Sequence, residues 1–404
     1  MPSDSFACRA KQSTHLFGRE NPIQFRAAEG KYGQPCTIPL RECGIGGHID
    51  NTQCQACQFW HTHQHIESLI TQGAGARAIH QQADSVTQVN TLSAPIWPTI
   101  RLADPMSAAR YPLPVHGQAD FVQVAAGEWT ITLPIPTIPA DAILVASFVT
   151  PRSITPDHQF WLIAGADQWP LLPVPSMVGE RPDQGPMNDA VSTHIDCWHT
   201  RIPVHRPTVR LRITTHLPPD HYFIAISSRP LTVSVTSLPC TRVVARIPPA
   251  ISQMTAEEPL RRSICSPTSI AMLVPGTGRD EVLAWTRDRA TGMHGSWPLA
   301  ARAAAMKGAV AAVELQSDWE DAHAILRAGL PFAASIRFAP GTLQGAPLNG
   351  TSGHLVVVYG IDGTTVLVHD PAADCDDTVP RRYDMAEFTN AWLANRGASY
   401  IIAP

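Results

Sequence analysis

A cysteine, a histidine and an aspartate stand in the last third of this 404-residue sequence, and their types and order could make one nucleophilic unit. Cys265 lies in Ile264-Cys265-Ser266-Pro267-Thr268-Ser269, ahead of an apolar run through Leu273. Pro267 suits a first helical turn, where its missing N–H would be unpaired anyway. Cys265 then sits at the positive end of a helix, which favours thiolate over thiol (ordinary pKa ~8.5). His354 follows Gly350-Thr351-Ser352-Gly353 and opens the apolar strand Leu355–Gly360. Its strand fixes it and the glycine gives it room, so it can take the thiol proton. Asp370 ends Val366-Leu367-Val368-His369-Asp370, just before Pro371. On a hairpin neighbour of the histidine strand, its carboxylate would fix the imidazole tautomer. Each residue alone has an ordinary reading: a buried structural cysteine, a loop-end histidine among 17, an Asp-Pro turn. Their joint placement, nucleophile on a helix and partners on a sheet, reads as a catalytic set.

The elements that must hold this set are helices first and strands later. Ser266–Leu273, Asp280–Arg289, Leu299–Lys307 and Ser317–Ala328 read as helices, the last capped by Ser317 and stopped at Gly329. Phe332–Ile336, His354–Ile361 and Val366–His369 read as strands, with Asp362-Gly363 as a hairpin turn. That order predicts an α+β domain over residues 251–404. Before it, residues 241–250, overlapping the proline-bounded stretch Pro239–Pro249, read as a linker.

Residues 96–240 are a proline-punctuated series of short β-branched runs: Phe121–Val124, Trp129–Ile135, Ala142–Val149, Gln159–Ile163, Val209–Thr215, His221–Ser227 and Leu231–Thr236. Their lengths and separators predict an antiparallel β-sandwich as an accessory domain. In Val209–Thr215, Val209, Leu211 and Ile213 alternate with Arg210, Arg212 and Thr214, so one face is buried and one wet. Residues 1–95 form an irregular Cys/His-containing region of unknown fold. The chain is thus read as multi-domain.

Composition narrows the classes. Charged residues are 16% of the chain and the net charge is −4, which leaves no electrostatic footprint for nucleic acid. The 37 prolines, hostile to helix interiors and central strands, agree with a strand-and-loop protein. No apolar run is long enough to span a membrane, and the first residues carry no secretory pattern. The expectation is therefore a cytoplasmic chain, or a secreted one if the start site is misassigned.

Residues 250–404 resemble the bacterial C39-like cysteine peptidase family, a papain-like group. The matching motifs are Cys265-Ser266-Pro267-Thr268-Ser269, Gly329-Leu330-Pro331-Phe332, Gly353-His354-Leu355-Val356-Val357-Val358 and His369-Asp370-Pro371-Ala372-Ala373. A terminal Tyr383…Phe388…Trp392 helix before a last strand also fits. The resemblance implies a papain-like fold with Cys265 as nucleophile, His354 as general base and Asp370 as the orienting carboxylate. It also implies a glutamine upstream whose amide joins the Cys265 N–H in an oxyanion hole. Gln253, twelve residues before Cys265, is the candidate. More faintly, the middle region is similar to the sandwich ahead of such domains, with Ser192–Asp196 and Val209–Thr215 as paired strands.

The expected activity is hydrolysis of a peptide or amide bond through an acyl-enzyme, with a peptide or protein substrate and no cofactor. The alternatives are an inactive C39-like adaptor and a cysteine-dependent acyl transferase using the same triad. Weaker signals lie elsewhere. Cys36, Cys43, Cys54 and Cys57, with histidines nearby, are weak metal candidates, because Cys36 and Cys43 are too far apart for a second chelating turn. Trp129, Trp161, Trp169 and Trp198 fit an inter-sheet core better than a ligand platform.

Overall fold

Proline-bounded runs build two five-stranded antiparallel sheets in the first half of the structure. The computed structural model describes residues 98–151, 153–180, 189–235 and 240–404. The first half contains β1 (Thr99–Ala103), α1 (Pro105–Arg110), β2 (Val122–Ala125), β3 (Glu128–Pro134), β4 (Ala142–Val149) and β5 (Asp157–Ala164). It continues with β6 (Asp167–Pro170), β7 (Val191–Thr193), β8 (Cys197–Thr200), β9 (Thr208–Thr214) and β10 (Phe223–Pro230). One sheet has the order β1-β10-β4-β8-β7 and the other β2-β3-β9-β5-β6.

The sheets enclose a core that includes Leu144, Phe148, Phe160, Leu211, Trp169 and Trp198. Trp129 and Trp161 are half-buried, and Arg212 stacks over the Trp161 ring at 4.9 Å. Two expected features are corrected. Residues 231–235 form no strand, because β10 runs to Pro230 and Leu231 then packs against the neighbouring core. Ser192–Asp196 does not pair with Val209–Thr215. Its residues belong to a hairpin in which Val191–Thr193 pairs with β8, in the sheet opposite β9.

β4 is buried along its whole length, and its two faces enter two different cores. Leu144, Ala146 and Phe148 point into the sandwich, whereas Ile143, Val145 and Val149 join the core of the C-terminal half. β10 divides likewise, with Ile224 and Ile226 on one side and Phe223 and Ala225 on the other. A strand apolar on both faces is buried on both.

The C-terminal half consists of β11 (Cys240–Val244), α2 (Cys265–Leu273), α3 (Arg279–Thr286), α4 (Trp297–Ala305), β12 (Val310–Leu315) and α5 (Trp319–Arg327). β13 (Phe332–Phe338), β14 (Thr351–Gly363), β15 (Thr365–His369), β16 (Pro380–Asp384), α6 (Met385–Ala391) and β17 (Ala398–Ala403) complete it. The sheet runs β12-β17-β13-β14-β15-β16, with β11 added to β14. The expected linker is therefore partly a strand. β13 pairs with β14 only as far as Val358, and β11 takes Gly360–Gly363 beyond it. Helix α5 is capped by Asp318, whose side chain accepts from the Asp321 N–H, and not by Ser317. Tyr383 lies on β16 ahead of the terminal helix.

β12 is an edge strand, and an uncovered edge invites pairing with other chains. The sandwich covers it. The β12 N–H groups of Val313 and Leu315 donate to the hydroxyls of Ser147 and Ser227, each at 3.0 Å. Arg101 donates to both carboxylate oxygens of Glu314, at 2.7 and 2.6 Å, and Tyr111 donates to the same group at 2.8 Å. Arg229, fully buried, donates to the carbonyls of Gln316 and Leu393 at 2.6 and 2.7 Å. Gly397 takes φ +62° beside Gln316 and Arg229, where a Cβ would collide. Ala94–Pro404 accordingly groups as one compact unit. Among the described residues no helix is long and apolar enough to cross a membrane.

Glu314 is 1% exposed, so its charge depends on Arg101. Removing one partner of such a buried pair leaves an uncompensated ion and costs about 3–5 kcal/mol. Arg101→Ala is expected to lose stability on that scale in urea unfolding, against well under half as much for Arg242→Ala at a surface pair.

Candidate active site

Cys265 is the first residue of α2, and the helix behind it is buried from Ser266 to Leu273. A helix apolar nearly all round belongs inside a protein. Two serines one turn apart tie it to the sheet. The Ser266 hydroxyl lies 3.0 Å from the Tyr400 hydroxyl on β17, and Ser269 donates to the Leu355 carbonyl on β14 at 3.5 Å. Cys265 is thus fixed from the buried end of its helix while its own side chain is only partly buried.

Register brings the other two together. His354 on β14 pairs with Ile336 on β13. On the other side Val357 pairs with His369, so the next residue, Asp370, falls across from Val356. Val356 and His354 share a face, two residues apart, which makes Asp370 a diagonal neighbour of the histidine. Nε2 of His354 donates to Oδ1 of Asp370 at 2.8 Å, with both side chains buried. Cys265 and His354 border the same cleft, and each shifts the other, the thiol downward and the imidazole upward. With Nε2 committed to Asp370, Nδ1 is the ring nitrogen left for the sulfur.

Asp370 is itself held at both oxygens. The Ala372 N–H donates to Oδ1 at 3.0 Å, and the Tyr383 hydroxyl donates to Oδ2 at 2.6 Å. Tyr383 was legible in the sequence only as a packing aromatic. Its part in the site follows from β16 pairing with β15, which nothing in its own segment signals.

The electrostatics agree on a thiolate–imidazolium pair. Burial pushes the Cys265 thiol up, but His354 and the N–H groups of Leu355 and Ser266 outweigh it, and the net shift is downward. Burial pushes His354 down, and the Asp370 carboxylate with the Cys265 sulfur carries it the other way, to about 10. Burial raises Asp370, and His354, Tyr383 and the Ala372 N–H bring it below the ordinary carboxylate value.

Gln253 does not join this group. Its Nε2 donates to the Arg261 carbonyl at 2.7 Å, and its Oε1 is buried without a hydrogen-bond partner among the described residues. It begins a short turn of 3-10 helix whose N–H donates to the Pro371 carbonyl at 2.8 Å, with Ser252 bonded to Ala373 and Asp376. Gln253 therefore buttresses the loop after Asp370 instead of lining the cleft. The longer spacing to Cys265 gives its segment the length to reach that loop. Cys36, Cys43, Cys54 and Cys57 lie outside the described residues. Among the described residues no three His, Cys, Asp or Glu side chains are grouped to hold a metal.

The sulfur faces a cleft of about 640 Å³ bordered by Cys265, His354, Ser335, Arg337, Met293 and Trp297. The sandwich supplies part of its wall through Asp196 and His199, around the turn between β7 and β8. Asp196 accepts from the Trp297 N–H at 3.2 Å. Burial carries the Asp196 carboxyl up to about 6, against the pull of Trp297 and Arg396. A second hollow of about 740 Å³ shares Ser263 and His294 with the cleft and extends it along α3.

Iodoacetamide reads the thiolate directly. Wild-type Cys265 is expected to label with a midpoint below the ordinary thiol value of ~8.5. In His354→Ala the main lowering partner is gone while burial stays, so the midpoint should move upward from the wild-type value. Labelling rates followed from pH 5 to 10 would show both shifts.

Residues 248–400 match the model of the Peptidase_C39 like family. No curated protein matches the chain. Among solved structures, a crystal structure from Bacillus anthracis, named as that of a C39-like peptidase, is 16% identical. The match covers 41% of this chain and 98% of that one, with a TM-score of 0.32. The match in sequence falls on the segment that carries Cys265, His354 and Asp370, and it is this segment, residues 248–400, that is similar to the Peptidase_C39 like family.

Proposed function

We propose that this chain is a thiol peptidase that cuts an amide bond in the cleft at Cys265. The observation that carries the reading is the buried His354–Asp370 hydrogen bond, with Cys265 and His354 on the wall of one cleft. The Cys265 thiolate attacks the scissile carbonyl carbon, forming a C–S bond as the C=O electron pair moves to oxygen. The N–H of Cys265, unpaired within the first turn of α2, is placed to receive that oxyanion. As the pair returns to carbon, the C–N bond breaks and the His354 imidazolium gives its proton to the departing nitrogen. Water then attacks the acyl-enzyme and its proton passes to His354. The C–S bond breaks, releasing the acid and restoring the ion pair. Asp370 and Tyr383 touch no substrate atom in this scheme. They keep the imidazole charged and aimed.

Extension of the cleft into the second hollow favours an extended chain over a small amide as substrate. Gln253, turned away, has no part in the oxyanion site of this scheme.

Cys265→Ala is expected to abolish cleavage of a mixed peptide library read by mass spectrometry, and equal digestion by wild type would sink the proposal. Asp370→Asn, which disturbs the tautomer and removes the charge beside His354, should lower kcat on the order of 10³–10⁴-fold. The pH dependence follows from the two shifts. Below the lowered Cys265 value the thiolate is protonated and rate is lost, and above about 10 the imidazolium is lost. The kcat/KM profile should therefore stay high through pH 8–9, where an ordinary histidine is already neutral.

A further inference from the structure

The cleft is charged unevenly in a way the triad does not use. Three guanidiniums border it, those of Arg262, Arg337 and Arg396, against the single carboxylate of Asp196. Arg262 is already engaged by Glu258, with Nε and Oε1 3.3 Å apart. Arg396 lies over the Trp297 ring at 5.9 Å and its charge is felt by Asp196. Arg337 has no ion-pair partner among the described residues and is exposed. The other titratable groups of the wall do not restore the balance. Burial lowers His199 to about 4, and burial with Arg287 lowers His294, so both are neutral near pH 7.

Arg337 follows Ile336, which pairs with His354, so it lies on β13 beside the site. The ladder then shifts before Phe338 meets Thr351, and the extra residue of that irregularity is on β14, at Ser352–Gly353 across from Arg337. Asn395, another residue of the cleft wall, donates to the Arg337 carbonyl at 3.0 Å and holds the distorted segment. An uncompensated cation on the wall of a cleft focuses potential into it, and a guanidinium takes a carboxylate in a two-pronged bond.

We infer that the cleft binds peptides presenting a carboxylate close to the scissile bond, with Arg337 as the main contact and Arg396 behind it. The carboxylate is an Asp or Glu side chain or the chain end of the substrate. This deepens the peptidase reading and rests on it for the position of the scissile bond.

Binding and turnover separate the two ideas. Full-length Cys265→Ala would be titrated into matched pools of fluorescent, C-terminally amidated octapeptides carrying Glu, Gln or Lys. A further Gln pool would have a free C-terminal carboxylate. At least tenfold tighter anisotropy-detected binding of the Glu pool or the free-carboxylate pool than of the amidated Gln pool is expected, and which of the two prevails identifies the source. Adding Arg337→Gln should remove most of that gap without moving the thermal midpoint, and raised salt should narrow it. Equal binding of all pools, preference for Lys, or no binding overturns the inference. Wild-type turnover without acidic preference removes it and leaves the peptidase. Acidic preference in binding without any turnover keeps the subsite and removes the peptidase.

Discussion

The hydrogen bond between His354 and Asp370 is the interaction on which the rest of the site depends. Both groups are almost wholly removed from water. Burying two charges is costly unless geometry and further donors compensate. Here the compensation is complete on the acidic side, because Tyr383 and the Ala372 N–H occupy the positions the imidazole leaves free. The outcome is a carboxylate that stays ionised in a dry place and an imidazole that stays protonated because of it. The Cys265 thiol is shifted toward the thiolate chiefly by His354. The N–H groups of Ser266 in α2 and Leu355 on β14 also pull it down, but burial alone would drive the thiol the other way.

That pair is only as rigid as the sheet beneath it, and the sheet is finished by the sandwich. β12 would otherwise end the sheet with free N–H groups. Ser147 and Ser227 meet two of them, and the outer faces of β4 and β10 supply the apolar surface over it. A continuous core of this kind differs from two domains joined by a tether. The fold is better described as a C-terminal α+β sheet domain with a β-sandwich laid along its edge.

Much of this was legible from residues alone, for reasons that differ by element. Cys265, His354 and Asp370 were readable because each is bound to a strong local signal: a proline in a first turn, a glycine before a strand, an Asp-Pro at a strand end. β4 was readable as an eight-residue apolar run, Ala142–Val149, though not that its two faces serve different cores. β12 was missed because Val310-Ala311-Ala312-Val313 is half alanine, a poor strand former. Small side chains suit that place, since α4 lies against the same strand. β11 hid in a stretch marked as linker by its prolines, because what recruits it is a vacancy on β14. Gln253 shows the limit of carrying a role across by resemblance. Its Nε2 donates instead to the Arg261 carbonyl.

The division of labour within the cleft follows from the same architecture. Every group of the proposed bond-breaking machinery belongs to α2, β14, β16 or the position just after β15, inside the segment that matches the family model. The wall facing it is mixed. Trp297 begins α4, yet its N–H is bonded to Asp196 in the turn of a sandwich hairpin. The proposed reacting groups all come from the sheet domain, whereas the shape and charge of the cleft draw on the sandwich directly. A hairpin turn can vary in sequence without disturbing the strands that carry it, since loops tolerate change that cores do not. The β7–β8 turn is thus a place where substrate choice could change while Cys265, His354 and Asp370 stayed as they are.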